Sequence, residues 1–127
     1  MSRPVLLDSS FLIAFEREVA RNQNGPARRF LSTLRGRPAV VSIISVEEML
    51  EGREDEDVLL EWLEQFTIQG LHFAHARRCA LLQRRSRRRM GENDAWLVAT
   101  AEILDADVVG ADRSAFERLG PKYLRFQ

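Results

Sequence analysis

Residues Val5 to Ile13 have the sequence VLLDSSFLI, which is the clearest indication of the fold in this chain. Three consecutive apolar residues end at Asp8, and Ser9 and Ser10 then lead into a second apolar segment. A short continuous apolar run of this kind is typical of a strand that is buried on both faces. The stretch therefore predicts a buried strand, an acid at its carboxyl end and a helix directly after it.

The same change from an apolar run to helical spacing recurs along the chain. Predicted strands cover residues 4–7, 39–44, 66–71, 107–109 and 123–126, and apolar residues with helical spacing lie between them. Parallel neighbours need a crossover connection, which is usually a helix. The alternation therefore predicts an α/β protein, a three-layer α/β/α sandwich around a mostly parallel sheet of about five strands. We expect one domain over residues 1–127.

The composition is that of a globular protein, since apolar residues make up 45% of the chain and charged residues 30%. The single cysteine, Cys79, excludes a disulfide framework and is typical of a reducing compartment. No apolar run approaches the roughly 20 residues that span a bilayer, and the N-terminus lacks a secretory signal pattern. We expect a cytoplasmic protein without membrane contact.

Charge is strongly segregated, although nineteen basic residues balance nineteen acidic ones. Residues 47–64 contain nine acids and one arginine, whereas residues 77–89 contain seven arginines and no acid. The arginines from Arg84 to Arg89 crowd the end of a predicted helix. Two interpretations stay open: a solvated helix end favoured by the helix dipole, or a ridge whose guanidinium groups bind phosphate oxygens.

Acidic residues occur where the predicted strands end. Asp8 directly follows the first strand, and Asp112 follows the fourth, which begins at Asp107 on the opposite edge. Ser45 is the first polar residue after the second strand, which predicts that Glu48 lies in the first turn of the next helix. In open α/β sheets the ligand crevice lies at the carboxyl ends of the strands. We therefore expect Asp8, Glu48 and Asp112 at one edge.

The fourth candidate, Asp94, opens the helix before the fourth strand, and the sheet alone does not place it. Each acid also has a structural explanation. Ser45 to Glu48 form a capping box that would contribute about 1 kcal/mol. Asp8 or Asp94 could be a helix N-cap, and Asp112 could form a turn.

A chemical role explains the four acids together. Carboxylates about 5 Å apart would repel by about 3 kcal/mol per pair at an effective dielectric constant of 20. Oxygen-only sites of this kind suit Mg²⁺ or Mn²⁺. One or two such ions could orient a water and stabilise the leaving oxygen in phosphodiester hydrolysis.

Four segments carry a resemblance to a known family: VLLDSSFLI at 5–13, SVEEMLEG at 45–52, GENDAWLVATA at 91–101 and VVGADRSAF at 108–116. Together they resemble a PIN domain of the VapC toxin type, over essentially the whole chain. The third segment is the most specific. The position of Gly52 selects Glu48 over Glu47 as the family's glutamate. One position departs from the pattern, because Gly110 stands where the family usually has Ser or Thr.

The resemblance implies a five-stranded parallel sheet and a metal-dependent ribonuclease. It implies that Asp8 and Asp94 are the principal ligands of Mg²⁺ or Mn²⁺, and that Glu48 and Asp112 complete the acidic catalytic pocket. The residues assigned to RNA binding are Ser9, Arg84, Arg85 and Arg88. A VapC-type toxin would form a homodimer and be inhibited by an antitoxin protein. A stand-alone RNA-processing nuclease and a non-catalytic RNA-binding or scaffold module remain as alternatives.

Overall fold

One parallel sheet organises the computed structural model, which describes residues 3–111 and 122–127. Its strands, within those ranges, are β1 (Val5–Leu7), β2 (Ala39–Ser42), β3 (Thr67–Gln69), β4 (Asp107–Gly110) and β5 (Tyr123–Arg125). They lie side by side in the order β3-β2-β1-β4-β5, and every neighbouring pair is parallel. The predicted parallel sheet of five strands is confirmed.

Helices connect the first four strands. They are α1 (Ser9–Ala20), α2 (Pro26–Ser32), α3 (Ile43–Leu50), α4 (Glu56–Leu63), α5 (Phe73–Arg85) and α6 (Glu92–Leu104). Among the residues described, no helix is both long and apolar enough to cross a membrane.

The helices cover both faces of the sheet. Val5 and Leu7 of β1 face a core with α1 to α4, whereas Leu6 faces a second core with α5 and α6. Successive side chains of a strand point to opposite faces, so a strand that is apolar throughout is buried only when both faces are covered. All three residues are fully buried, and the predicted three-layer sandwich is confirmed.

Asp107 lies at the edge of the sheet opposite the strands' carboxyl ends, as the sequence predicted. It begins β4 and pairs in register with Val5 of β1. One carboxylate oxygen accepts a hydrogen bond from Arg3 at 3.0 Å, and the other accepts one from Arg37. Both oxygens therefore bind arginines that tie the strand starts together, which is a structural role.

The boundary between β2 and α3 differs from the prediction. The strand ends at Ser42, and α3 begins at Ile43. The Ser42 hydroxyl caps the helix by accepting the Ile44 N–H at 3.1 Å. Ser45 is therefore inside the helix, so the predicted capping box from Ser45 to Glu48 was wrong. Glu48 lies in the second turn of α3, one turn later than expected.

The start of α6 also differs from the prediction. The helix begins at Glu92 with Gly91 as its N-cap, so Asp94 is its third residue and not its cap. The earlier start comes from the polar residues Glu92 and Asn93, which apolar periodicity alone does not assign to a helix. Asp94 remains in the first turn.

The corrected boundary of α3 predicts that Ser42 and Ser45 contribute differently to the stability of the protein. Ser42→Ala removes the N-cap and should lower the free energy of unfolding by about 1 kcal/mol. The Ser45 hydroxyl is buried and has no hydrogen-bond partner among the described residues, so Ser45→Ala should leave stability unchanged or raise it. Urea denaturation of both variants measures the difference. A larger loss for Ser45→Ala would contradict the boundary.

Candidate acidic active site

Asp8 joins the end of β1 to the start of α1. Its backbone N–H donates to the Val109 carbonyl of β4 at 3.0 Å. Its Oδ1 accepts the Phe11 N–H at 3.0 Å and the Ser10 hydroxyl at 2.6 Å. The N-cap role that the sequence allowed for Asp8 is therefore present. It fixes the carboxylate at the carboxyl edge of the sheet.

The second oxygen of Asp8 faces Gly110, the last residue of β4. A Cβ atom built on Gly110 would overlap the Asp8 carboxylate. A side chain at position 110 would therefore require this carboxylate to move. The Asp8 carboxylate thus lies in the space that a side chain at position 110 would fill.

Ser10 is a site residue that the sequence reasoning missed. Its hydroxyl donates to Asp8 Oδ1 and accepts the Ala111 N–H at 3.0 Å. It therefore links the first acid to the chain that leaves β4 towards Asp112. The available signal was a hydroxyl two residues after an N-cap Asp, a spacing at which side chains bond locally. The partner Ala111 is 101 residues away, so the second bond was not readable from the sequence.

Three acids are buried among the described residues, and they differ in how their oxygens are used. Both carboxylate oxygens of Glu18 accept hydrogen bonds, from the backbone N–H groups of Ala27 and Arg28, each at 2.9 Å. Both carboxylate oxygens of Asp107 accept hydrogen bonds from arginines. Asp8 accepts both of its hydrogen bonds on Oδ1, and Oδ2 accepts none of good geometry from the described residues. Of the three, Asp8 is therefore the buried acid whose second oxygen accepts no hydrogen bond of good geometry from the described residues.

Burial raises the pKa of Asp8 above its ordinary value, and the negative charge of Glu48 raises it further. Hydrogen bonds from Ser10 and Phe11 lower the pKa in part. No described lysine, arginine or histidine forms a salt bridge with Asp8 or Glu48. Within the part of the chain that the structure describes, hydrogen bonds and not a cation therefore offset the charge of Asp8.

Glu48 reaches from α3 towards α6. Its exposed side chain accepts a hydrogen bond from the Asn93 amide at 3.4 Å. The neighbouring Glu47 interacts instead with Glu51, whose charge, after burial, contributes to raising the pKa of Glu47. The two adjacent glutamates therefore have different surroundings, and only Glu48 contributes to the raised pKa of Asp8.

Asp94 lies one residue after Asn93, in the first turn of α6. Its carboxylate is partly buried and folds back towards Gly91, where a Cβ atom would lie 3.5 Å from Oδ2. The contact between Asn93 and Glu48 brings this turn to α3. Glu48 thus lies between Asp8 and the turn that carries Asp94. Asp112 lies outside the described residues.

The other assigned residues surround this edge of the sheet. Ser9 is the first residue of α1, and Arg84 and Arg85 are in the last turn of α5. Arg88 is exposed in the connection to α6. This connection lies directly before the turn that carries Asp94, and Arg89 in it forms an ion pair with Glu92 of that turn at 3.2 Å.

The donor set fits a hard divalent cation in chemistry. Among residues 3–111 and 122–127, no three acidic, histidine or cysteine side chains converge into a complete metal cage. Mg²⁺ is usually held by one or two carboxylates, with water and substrate phosphate as further ligands. The buried, partly unsatisfied carboxylate of Asp8 beside Glu48 is suited to that mode.

The PIN domain family profile matches residues 5–121. The match covers most of the chain, and this protein belongs to the PIN domain family. The family resemblance predicted from the four sequence segments is confirmed.

Several solved structures share this fold. The chain is similar to one chain of a toxin–antitoxin complex from Klebsiella pneumoniae, with a TM-score of 0.76 and 20% identity over 97% of this chain and 98% of that chain. For VapBC2 from Rickettsia felis bound to a promoter DNA fragment, the TM-score is 0.72 and the identity 14%, over 95% and 96%. For FitAcB from Neisseria gonorrhoeae the values are 0.70 and 22%, over 97% and 96%. No curated protein matches by sequence.

The raised pKa of Asp8 predicts that Asp8→Asn stabilises the metal-free protein. Folding favours the protonated carboxyl; this contribution is full below the ordinary pKa of 3.8 and is lost as the pH rises through the raised value. Asparagine keeps the capping oxygen without the charge. The variant should therefore melt at a higher temperature than the parent at about pH 7. The difference between the two melting temperatures should become smaller as the pH is lowered towards about 4.

Thermal denaturation in EDTA across this pH range measures the effect. Asp8→Ala is the control, because it removes the charge and also the cap, which should cost about 1 kcal/mol relative to Asp8→Asn. An asparagine variant less stable than the parent at every pH would show that Asp8 is not a destabilised carboxylate.

The contact between Gly110 and Asp8 predicts a cost for any side chain at position 110. Gly110→Ala should destabilise the protein by about 1 to 3 kcal/mol, because the Asp8 carboxylate must leave its capping position. Gly52→Ala is the matched control, since a Cβ there meets nothing within 4 Å, and its effect should stay within about 0.5 kcal/mol. Equal stabilities of the two variants would contradict the contact.

Proposed function

We propose that this protein is a divalent-metal-dependent endoribonuclease that hydrolyses RNA phosphodiester bonds within one domain over residues 1–127. Asp8, Glu48, Asp94 and Asp112 are its catalytic acids. The observation that carries the proposal is the buried Asp8 carboxylate, which keeps one oxygen without a good hydrogen bond and faces the charge of Glu48. Membership of the PIN domain family supports the same chemistry.

In the proposed mechanism each acid has its own part. Asp8, fixed by the cap of α1, is the rigid ligand of Mg²⁺ or Mn²⁺, and Asp94 is the second principal ligand. Glu48 is exposed and hydrogen-bonded to Asn93, and it would complete the cation site. A bound divalent cation would stabilise negative charge on the phosphate and lower the pKa of an attacking water. Ser10 keeps Asp8 and the chain after β4 in register.

RNA would be held by its backbone. Ser9 lies beside Asp8, and Arg84, Arg85 and Arg88 lie on the path that leads to α6. Guanidinium groups bind phosphate oxygens without reading the base. This arrangement would position the phosphodiester and leave sequence preference to other contacts.

The toxin of a toxin–antitoxin pair is the biological role that we propose. The support is the fold shared with chains of toxin–antitoxin complexes, at near-complete coverage of both chains. In this role the protein would be a cytoplasmic homodimer, and an antitoxin protein would block its acidic site.

Paired glutamate variants test the assignment of the site. Glu48→Gln should lower cleavage of single-stranded RNA by about a hundredfold, and Asp94→Asn by at least as much, because each loses a ligand charge. Glu47→Gln, the control next to Glu48 on α3, should retain near-parental cleavage. EDTA should abolish activity, and added Mg²⁺ or Mn²⁺ should restore it.

The outcome separates the two classes of function. A folded parent protein that binds RNA equally well with or without EDTA, and does not cleave it, would be a binding module. Full activity in Glu48→Gln would remove that residue from the site, and full activity in Asp94→Asn would end the catalytic assignment.

A further inference from the structure

A groove with a mixed cationic and apolar lining runs along α5 on the face of the protein that carries α6. Its volume is about 500 Å³. The lining residues are Ala74, Arg77, Arg78, Leu81, Arg84 and Ile103. Ala74, Arg77, Leu81 and Arg84 follow each other at steps of three and four residues, so they share one face of α5. The groove thus presents guanidinium groups on both sides of a leucine.

Two arginines of the groove are available to bind an anionic ligand. Arg78 forms an ion pair with Glu102 of α6 at 3.2 Å. Neither Arg77 nor Arg84 forms a salt bridge with any acid that the structure describes. Both guanidinium groups are therefore available to an anionic ligand.

The groove begins beside the connection that leads to the acidic site. Arg84 belongs both to the groove and to the arginine-rich end of α5, after which the connection leads to the turn that carries Asp94. At the far end, Ile103 is nine residues beyond Asp94 on α6, which is about 14 Å along the helix axis and about half a turn around it. The groove is therefore separate from the acidic site, and Arg84 lies at its end nearer to the turn that carries Asp94.

The apolar part of the groove favours a single strand. Ile103 is 39% exposed although it is a large apolar residue. In a single strand the bases are unpaired and can contact apolar side chains while the phosphates bind cations. An acidic peptide would also use Arg77 and Arg84, but RNA accounts in addition for the arginines from Arg84 to Arg89, which lead from the groove towards Asp94.

We propose that the groove between α5 and α6 binds a single-stranded segment of the RNA beyond the cleaved bond. Arg77 and Arg84 bind its phosphates, and Leu81 and Ile103 contact a base or sugar between them. This inference rests on the proposed RNA cleavage, and it assigns a second subsite that determines how long a substrate must be.

The test is the affinity for a fluorescent oligouridylate, measured by anisotropy over a salt series in EDTA, where binding is read without cleavage. The double variant Arg77→Gln/Arg84→Gln should bind on the order of tenfold more weakly than the parent. Its slope of log affinity against log salt should be shallower by about 1.4, as expected for two lost phosphate contacts to a single strand.

Arg17→Gln/Arg35→Gln is the matched control. It removes the same charge from exposed positions, Arg17 on α1 in the other helical layer and Arg35 in the connection before β2. It should bind the oligonucleotide like the parent. Circular dichroism and melting curves establish that both double variants are folded.

Three results would overturn the inference. They are equal affinities for the two double variants, no RNA binding by the parent, and a changed oligomeric state in Arg77→Gln/Arg84→Gln with unchanged RNA affinity, which would assign the groove to a protein contact. Failure of the proposed cleavage is distinguishable, because RNA binding that depends on Arg77 and Arg84 would persist in a protein that hydrolyses nothing.

Discussion

The structure depends on a carboxylate that is buried where the central strand ends. Asp8 closes the first turn of α1 with one oxygen and packs the other against Gly110 of the neighbouring strand. The contact works only because position 110 has no side chain. The same carboxylate thus sets the direction of α1, the spacing at the end of β4 and the centre of the acidic edge.

The electrostatics of this edge differ from those around the other buried acids. Glu18 and Asp107 are buried to a similar degree. Both oxygens of Glu18 accept hydrogen bonds from backbone N–H groups, and both oxygens of Asp107 accept hydrogen bonds from arginines. Asp8 instead faces the further negative charge of Glu48. An arrangement that costs stability in the empty protein is typical of groups arranged for a ligand. The divalent cation that we propose would offset the negative charge of both acids.

Much of the fold was predictable because the apolar runs are unambiguous. A strand such as Val5 to Leu7 leaves no choice of exposed face, and its neighbours along the sheet have the same character. The position of Asp8 at the carboxyl end of this strand was predictable for the same reason. The start of α3 was not, because Ser42 and Ser45 are equally good caps by residue type. The bond between the Ser42 hydroxyl and the Ile44 N–H decides between them.

The site was predicted in part. The charge of Glu48 contributes to the raised pKa of Asp8, and the first turn of α6 adjoins Glu48 through Asn93. Ser10 was missed because its partner, Ala111, is remote in sequence. Asp112 remains a prediction, as do the catalytic roles of the other three acids. The balanced net charge also concealed the groove, since the arginines of α5 and the acids of α3 and α4 lie on opposite faces of the sheet.

The most direct test of the central claim is calorimetric titration of the metal-free protein with Mn²⁺ in buffers of different ionisation enthalpy. If the acidic edge is a cation site whose Asp8 has a raised pKa, the heats will fit a saturable binding event that releases protons below neutral pH. No saturable heat, or an identical isotherm after Asp8 is replaced by asparagine, would contradict it.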